Sequence, residues 1–254
     1  MIDLLIVTGG SKGIGKNIVL NSSSYAHKVL AIGSSDSLDE ISYKEKNIFT
    51  LKKDLSKIED NFDELSDFLN HHNPSSIGIA LCASSIGSYG GIIEADFSEW
   101  DYLYRTNVLG NLLVLNTILK FLKNNSLIRA IFFAGGGAAY GYPEFSGYAL
   151  SKVAVVRAVE NIGIEFNKNY KNASIIALAP GAVDTDMLAV VESHGGEIKT
   201  RTHIDEPTNF VSKFIQDEIP SMKINGRFIH VRDDLDKYFI NNLSDNHFRL
   251  RRID

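Results

Sequence analysis

Leu4-Leu5-Ile6-Val7-Thr8-Gly9-Gly10-Ser11-Lys12-Gly13-Ile14-Gly15 is the stretch from which the rest of the chain can be read. A short apolar run, closely set glycines and a helix-compatible segment from about Lys16 predict a strand, a tight turn and a helix N-terminus. A diphosphate can approach backbone N–H groups at such a terminus only where no Cβ stands in the way, and the helix dipole adds a favourable field. Gly9, Gly13 and Gly15 stand four and two residues apart. That spacing differs from the G-x-G-x-x-G dinucleotide fingerprint. A purely structural strand-to-helix turn uses glycines in the same way, so the turn alone leaves both roles open.

Composition narrows the function classes. Of 254 residues, 44% are hydrophobic and 22% charged, ordinary values for a globular chain with a sizeable core. A net charge of −5 argues against general nucleic-acid affinity, which needs clustered Lys and Arg to neutralise phosphates. No apolar run approaches the roughly 20 residues of a membrane span. Met1-Ile2-Asp3 lacks the basic n-region of a signal peptide. The one cysteine, Cys82, cannot form an internal disulfide, so the expected setting is the reducing cytoplasm.

Strand-like and helix-like segments alternate along the chain. Lys28–Ile32, Ile48–Leu51, Ile77–Cys82, Leu127–Phe133, Ser174–Leu178 and Phe228–Val231 read as strands two to seven. Phe62, Leu65, Phe68 and Leu69 recur at helical spacing. Ser98 with Asp101 resembles a capping box opening a long helix toward Leu122, and Tyr148 to about Asn167 reads as another helix. Strands joined by helices predict an α/β fold, a doubly wound parallel sheet of about seven strands with helices on both faces. No linker or repeat divides it, so residues 1–254 are expected to form a single domain. Ligands then belong at the carboxyl ends of the strands, where Thr8–Gly15, Ala83–Ser85, Ala134–Gly137 and Pro180–Thr185 would gather.

Tyr148-Ala-Leu-Ser-Lys152 puts a phenol and an ammonium one helical turn apart. Tyrosine, with a pKa of about 10, is a poor acid–base group at neutral pH, but a neighbouring cation favours phenolate and lowers that value. The pair could exchange a proton with an alcohol or carbonyl. A half-buried aromatic beside a snorkelling lysine has the same spacing.

The order of these elements resembles the short-chain dehydrogenase/reductase family. Its Thr-Gly-x-x-x-Gly-x-Gly turn is matched by Thr8 through Gly15, its Asn, Tyr and Lys by Asn107, Tyr148 and Lys152, and its Pro-Gly-x-x-x-Thr segment by Pro180, Gly181 and Thr185. The resemblance runs from about Ile2 to Val231. It implies a Rossmann-type oxidoreductase that moves a hydride between a nicotinamide and a ketone or secondary alcohol, a sugar derivative being one candidate. Tyr148 would then be the general acid or base, Lys152 would hold the nicotinamide ribose and favour Tyr148 ionisation, and Asn107 would anchor a water. Cofactor contacts would come from Thr8, Gly9, Ser11, Lys12, Gly13, Ile14 and Gly15 in the turn, and from Ser34, Asp54, Leu55 and Ala83 after the next strands. Tyr148, Lys152, Pro180, Gly181, Val183 and Thr185 would complete the set, with no metal. The family also implies a homodimer or homotetramer, pairing the helices that begin near Ser98 and Tyr148. Val153, Val155, Val156 and Ala158 are compatible with that pairing and equally with facing the sheet.

Two departures stand out. About thirteen residues before the tyrosine the family carries a serine that bonds the substrate carbonyl; here the chain reads Phe133-Ala134-Gly135-Gly136-Gly137-Ala138. Losing one positioned donor can cost on the order of 10²–10³ in rate. Ser146, Ser84, Ser85 or backbone N–H groups of the glycine run are the substitutes at hand. At the end of the fourth strand, Leu81-Cys82-Ala83-Ser84 replaces the family's Asn-Asn-Ala-Gly. The alternative function is therefore a dinucleotide-binding protein with little or no turnover, in a regulatory or assembly role.

The second strand ends Ile32-Gly33-Ser34-Ser35, without an acid to bind a free ribose 2′-hydroxyl, and Lys12 lies where a cation could meet a 2′-phosphate. This favours NADP over NAD, against the counter-evidence of Asp36 about 20 residues past the glycines. A substrate-covering loop is expected at about 186–206, hinged at Gly195-Gly196. Its His194, Lys199, Arg201 and His203 could meet an anionic group or lie in solvent. Gly226–Asp234, Phe248–Ile253 and Gly135-Gly136-Gly137 resemble family members associated with bacterial surface-polysaccharide or sugar-modification clusters. Arg249, Arg251 and Arg252 read as a solvated tail.

Overall fold

The opening apolar run becomes an interior strand of a parallel sheet, β1 (Ile2–Thr8), buried on both faces. The computed structural model describes residues 1–38, 47–195, 198, 200–240, 244 and 246–250. After β1 come α1 (Gly13–Leu20), β2 (Ala26–Gly33), β3 (Ile48–Lys52), α2 (Asp63–His72) and β4 (Ser76–Leu81). There follow α3 (Phe97–Tyr104), a π-helical turn (Arg105–Gly110), α4 (Asn111–Phe121), β5 (Leu127–Phe133), α5 (Ser146–Asn169) and β6 (Asn172–Ala179). The chain continues through β7 (Ala182–Val183), α6 (Asp186–Ser193), β8 (Arg201–Thr202), α7 (Asp205–Ile215), β9 (Arg227–His230) and α8 (Leu235–Ile240).

Seven strands pair in parallel in the order β3-β2-β1-β4-β5-β6-β9, and β7 pairs with β8 apart from them. Successive residues of β1 go to opposite faces, which is why the run is apolar without alternation. Leu4 and Ile6 join one core with Leu69, Val114, Ile118 and Val155 from α2, α4 and α5. Leu5 and Val7 join the other with Ile18 and Val19 of α1 and Val211 and Phe214 of α7. Strand order reverses between β1 and β4, and a crevice at that point is the ligand position in doubly wound sheets. Among the described residues no helix is long and apolar enough to cross a membrane.

The long helix expected from Ser98 to Leu122 is interrupted. Its cap is Asp96, whose carboxylate accepts the Ser98 N–H at 2.9 Å, so Ser98 lies inside the first turn instead of capping it. The π turn comes where Gly110 packs against the Leu55 carbonyl, a place where any Cβ would overlap that oxygen. Val155 and Val156 face the sheet while Val153 points outward. The expected 186–206 loop begins as α6, whose Leu188 and Val191 are buried; Gly196 and Lys199 lie outside the described residues. The tail is not simply solvated. Phe228 N donates to Phe248 O (2.8 Å), Leu250 N donates to Glu160 Oε1 (2.6 Å), and Arg249 is half-buried. Arg251 and Arg252 lie outside the described residues.

Helix α5 crosses the turn that leads into β9 with almost no clearance. A Cβ on Gly163 would stand 2.6 Å from Gly226 Cα and 2.8 Å from Gly226 N. Asn225 locks this crossing, donating to Gly163 O and accepting from Ile175 N, each at 2.9 Å. Helix propensity alone favours alanine over glycine by about 1 kcal/mol. Overpacking against backbone opposes this, typically at 1–3 kcal/mol. Gly163→Ala is therefore expected to lower the urea midpoint without changing the m-value; an unchanged or raised midpoint would show that this contact is looser than described.

Candidate active site

The crevice is built first by backbone contact. A Cβ on Gly9, whose φ is +65°, would stand 2.8 Å from Ala83 N, and one on Gly15 would overlap the Gly9 carbonyl oxygen. These two glycines let the β1 turn close on itself and press against the end of β4. Gly13 is different: its open side meets only Thr185 Cγ2, at 3.5 Å from an added Cβ. Lys12, at the N-cap, makes no side-chain cap bond, so the first N–H groups of α1 keep the donor capacity of an uncapped helix start. An opening without Cβ atoms in front of a helix N-terminus fits a dinucleotide diphosphate.

Three buried polar groups lock the turn to the neighbouring strand. Thr8 Oγ1 donates to Asn111 Oδ1 (2.6 Å) and accepts from Ala83 N (3.1 Å), while Asn111 Nδ2 donates to Ala83 O (2.9 Å). Asn111 was missed in the sequence, although an asparagine in the apolar run Asn111-Leu-Leu-Val-Leu115 was a visible signal. Asn107, one turn earlier, holds the next stretch: its Oδ1 accepts Ser85 N (2.7 Å), and its Nδ2 donates to Ser85 O and to Ser151 Oγ (2.9 Å each). Ser151 Oγ in turn donates to Tyr148 O at 2.7 Å. Asn107 thus spends its side chain on protein partners, and its main-chain carbonyl accepts Asn111 Nδ2 at 3.4 Å.

Tyr148 and Lys152 share the first turns of α5. A Cβ on Gly135 would lie 3.2 Å from Tyr148 Oη, so the phenol oxygen rests beside the glycine run after β5, and it makes no hydrogen bond to the described residues. Lys152 is 2% exposed, donates to Phe133 O at 2.9 Å, and holds its Nζ 5.4 Å from the Tyr148 ring centroid. Burial pushes the Lys152 pKa down to about 8. It raises that of Tyr148, and the Tyr142 phenol adds in the same direction. The expected lowering of Tyr148 by its cation is thus reversed, because the ammonium sits over the ring, bonded elsewhere, and desolvation of the phenolate dominates.

The remaining positions divide. Pro180 and Gly181 (φ +77°) turn the chain after β6, Val183 is buried in β7, and Thr185 precedes α6, its Oγ1 donating to Val183 O at 3.2 Å. Ser11 is buried beneath the turn, and Ile14 packs partly against the core. Ser34 is exposed at the end of β2. Asp36 pairs with Lys52, which lowers its pKa. Asp54 accepts Ser56 N (3.0 Å) and Ser56 Oγ (2.8 Å), a self-contained turn, and Leu55 is a core residue. Arg201 pairs with Asp184 (3.1 Å) and Glu192, and His203 with Asp205 (3.3 Å). Ser84 Oγ is buried without a partner among the described residues, and Ser146 opens α5 half-buried. Tyr148 also packs with Ile86, Phe145 and Val191. Beside that cluster is a cavity of about 410 Å³ lined by Tyr89, Tyr142, Phe145, Val191 and His194. Of these, only His194 had been singled out in the sequence.

Known proteins share this arrangement. The model of the short chain dehydrogenase family matches residues 3–195. An uncharacterized oxidoreductase of Saccharomyces cerevisiae is 31% identical over 196 residues, covering 71% of this chain and 75% of that one. Benzil reductase ((S)-benzoin forming) of Bacillus subtilis is 25% identical over 194 residues, covering 76% and 79%. A short chain dehydrogenase of Shigella flexneri, solved with NADP, superposes with a TM-score of 0.78 at 18% identity, covering 91% and 97%. With a family match over residues 3–195 and a relative 31% identical over 71% of its length, the chain belongs to the short-chain dehydrogenase family.

Proposed function

We propose that this chain is an NADP-dependent carbonyl reductase, moving a hydride between the nicotinamide and a ketone or secondary alcohol. The observation that carries the reading is the Tyr148 oxygen, unbonded to the described residues beside Gly135, on the same helix as buried Lys152 and at the same carboxyl end of the parallel sheet as the α1 cradle. The benzil reductase relative and the NADP-bound structural neighbour support it. NADP is favoured over NAD because Lys12 is exposed at the cradle and Asp36, the acid after β2 among the described residues, is paired with Lys52.

When bound, the cofactor supplies the hydride. Gly13, Ile14 and Gly15 would offer N–H groups to its diphosphate, with Thr185 opposite Gly13, and Lys152, held by the Phe133 carbonyl, would supply a positive charge to the nicotinamide ribose. Tyr148 Oη, in its acid form at neutral pH, gives its proton to the substrate oxygen. Asn107 acts as a positioning residue through Ser151 and Ser85. Leu150 and Val153 on α5 and Phe97 and Tyr104 on α3 are exposed apolar groups, consistent with a homodimer. Free Cys82 accords with a cytoplasmic setting.

A second reading, dinucleotide binding without turnover, is favoured by Gly135, which offers no hydroxyl beside Tyr148. Tyr148→Phe separates the two. With NADPH and benzil or cyclic ketones, the variant is expected to lose at least 10²-fold in kcat while keeping its NADPH affinity; unchanged turnover refutes the acid role. Gly135→Ser places a hydroxyl within reach of Tyr148 Oη and is expected to raise kcat roughly tenfold or more; a fall in kcat counts against a vacant donor position. Lys152 is charged below its pKa of about 8 and loses that charge as pH rises through it. Reduction should therefore be flat near neutrality and decline above about pH 8, and a rate still rising there contradicts a role for the ammonium.

A further inference from the structure

We infer that the ketone carries a neutral, flat aromatic group that lies against the rings of Tyr89, Tyr142, Phe145 and His194; this rests on the reductase reading and names its substrate class. The four rings come from three separate segments and form one array. Tyr142 and Phe145 stack with centroids 5.3 Å apart and planes at 26°, and Tyr89 stacks on His194 at 4.7 Å and 15°. Tyr89 meets Phe145 edge-on at 5.6 Å and 74°. Their cavity of about 410 Å³ lies in the range of small-ligand sites.

The array is held by backbone, so its shape precedes the ligand. Gly90 N donates to Glu144 O at 2.8 Å, bridging the Tyr89 strand to the Phe145 segment. His194 is pinned through Nδ1, 2.9 Å from Val190 O. Tyr148 packs in one cluster with Phe145 and Val191 of the cavity wall. Phe145 precedes Tyr148 by one helical turn, and the Tyr142 ring lies 3.5 Å from a Cβ placed on Gly137, two residues from the Gly135 that borders Tyr148 Oη. A ring seated in the cavity therefore sets its attached carbonyl toward that oxygen.

Charge excludes the other substrate classes. Among the described residues, Glu144 is the one charged side chain on the cavity wall. Arg201, the basic group on that flank, is taken by Asp184 and Glu192. A phosphate or carboxylate would enter beside a like charge, and the polar atoms of the wall, the Tyr89 and Tyr142 hydroxyls, His194 and Glu144, stand at the edges of ring faces that suit a flat apolar group better than a sugar ring. An aryl group loses nothing polar and gains ring–ring contact.

The test uses the full protein saturated with NADP⁺, which has no hydride to give. It is titrated calorimetrically with 2-tetralone, with 2-decalone, which keeps the carbon skeleton without the aromatic ring, and with 2-oxoglutarate. The aryl ketone is expected to bind about 5- to 10-fold more tightly than the saturated one, the worth of one or two ring contacts, and 2-oxoglutarate still more weakly. Tyr89→Leu, at a position 42% exposed and so tolerant of change, and Phe145→Leu are each expected to shrink that ratio toward one. Equal or reversed affinities, undetectable 2-tetralone binding, tighter 2-oxoglutarate, or a ratio untouched by both substitutions would overturn the inference. The reductase reading fails separately: an aromatic preference in binding with no NADPH oxidised by any ketone leaves the cage standing and removes the reaction.

Discussion

The arrangement depends on one close approach, that of Gly9 to the Ala83 main chain. Strands β1 and β4 stay paired to their ends at Thr8 and Leu81, and the chain beyond them can meet backbone to backbone only because position 9 has no side chain and adopts positive φ. Thr8 and Asn111 then fill the polar groups left by that contact. A buried amide or hydroxyl without a partner costs about 1–3 kcal/mol, so the knot forms as a whole or not at all. Everything functional is hung from it: the α1 cradle on one side, and on the other the Ser85 main chain that Asn107 ties to the first turn of α5.

Burial decides the electrostatics of the reacting pair. A tyrosine and a lysine one turn apart in water would polarise each other toward phenolate and ammonium. Here Lys152 is buried and Tyr148 half-buried, the phenol is held in its acid form and the ammonium keeps its charge up to about pH 8. A raised pKa weakens the phenol as an acid, so a positive charge brought into the crevice favours its proton donation. Lys152 is held in place by the Phe133 carbonyl, so the charge sits in the fold before any ligand arrives.

Much of this was legible in the sequence where it depended on local pattern. The apolar runs located all seven sheet strands, with Leu127–Phe133 correct at both ends, because buried parallel strands are continuous in hydrophobicity and their edges are marked by polar or glycine residues. The Tyr148–Lys152 spacing and the glycine turn were likewise local. What escaped depended on distant partners. The π turn at Arg105–Gly110 exists because the Leu55 carbonyl occupies the space beside Gly110, which no window of sequence records. Asp54, a cofactor contact in the family resemblance, also accepts Ser56 N and Oγ, a turn that its residue type alone does not specify. The aromatic array was invisible because its rings sit in three loops that meet only in the folded chain, and Arg201 looked available until its two carboxylates were in view.

The central claim is that the α1 cradle and the Tyr148 oxygen serve one bound dinucleotide. A crystal structure of the full chain with NADP⁺ tests it directly. The account predicts the diphosphate on the N–H groups of Gly13 to Gly15 and the nicotinamide ring beside Tyr148, close enough for a substrate carbon to sit within about 3.5 Å of it. A diphosphate bound elsewhere, or a nicotinamide turned away from the Tyr148 oxygen, would contradict it.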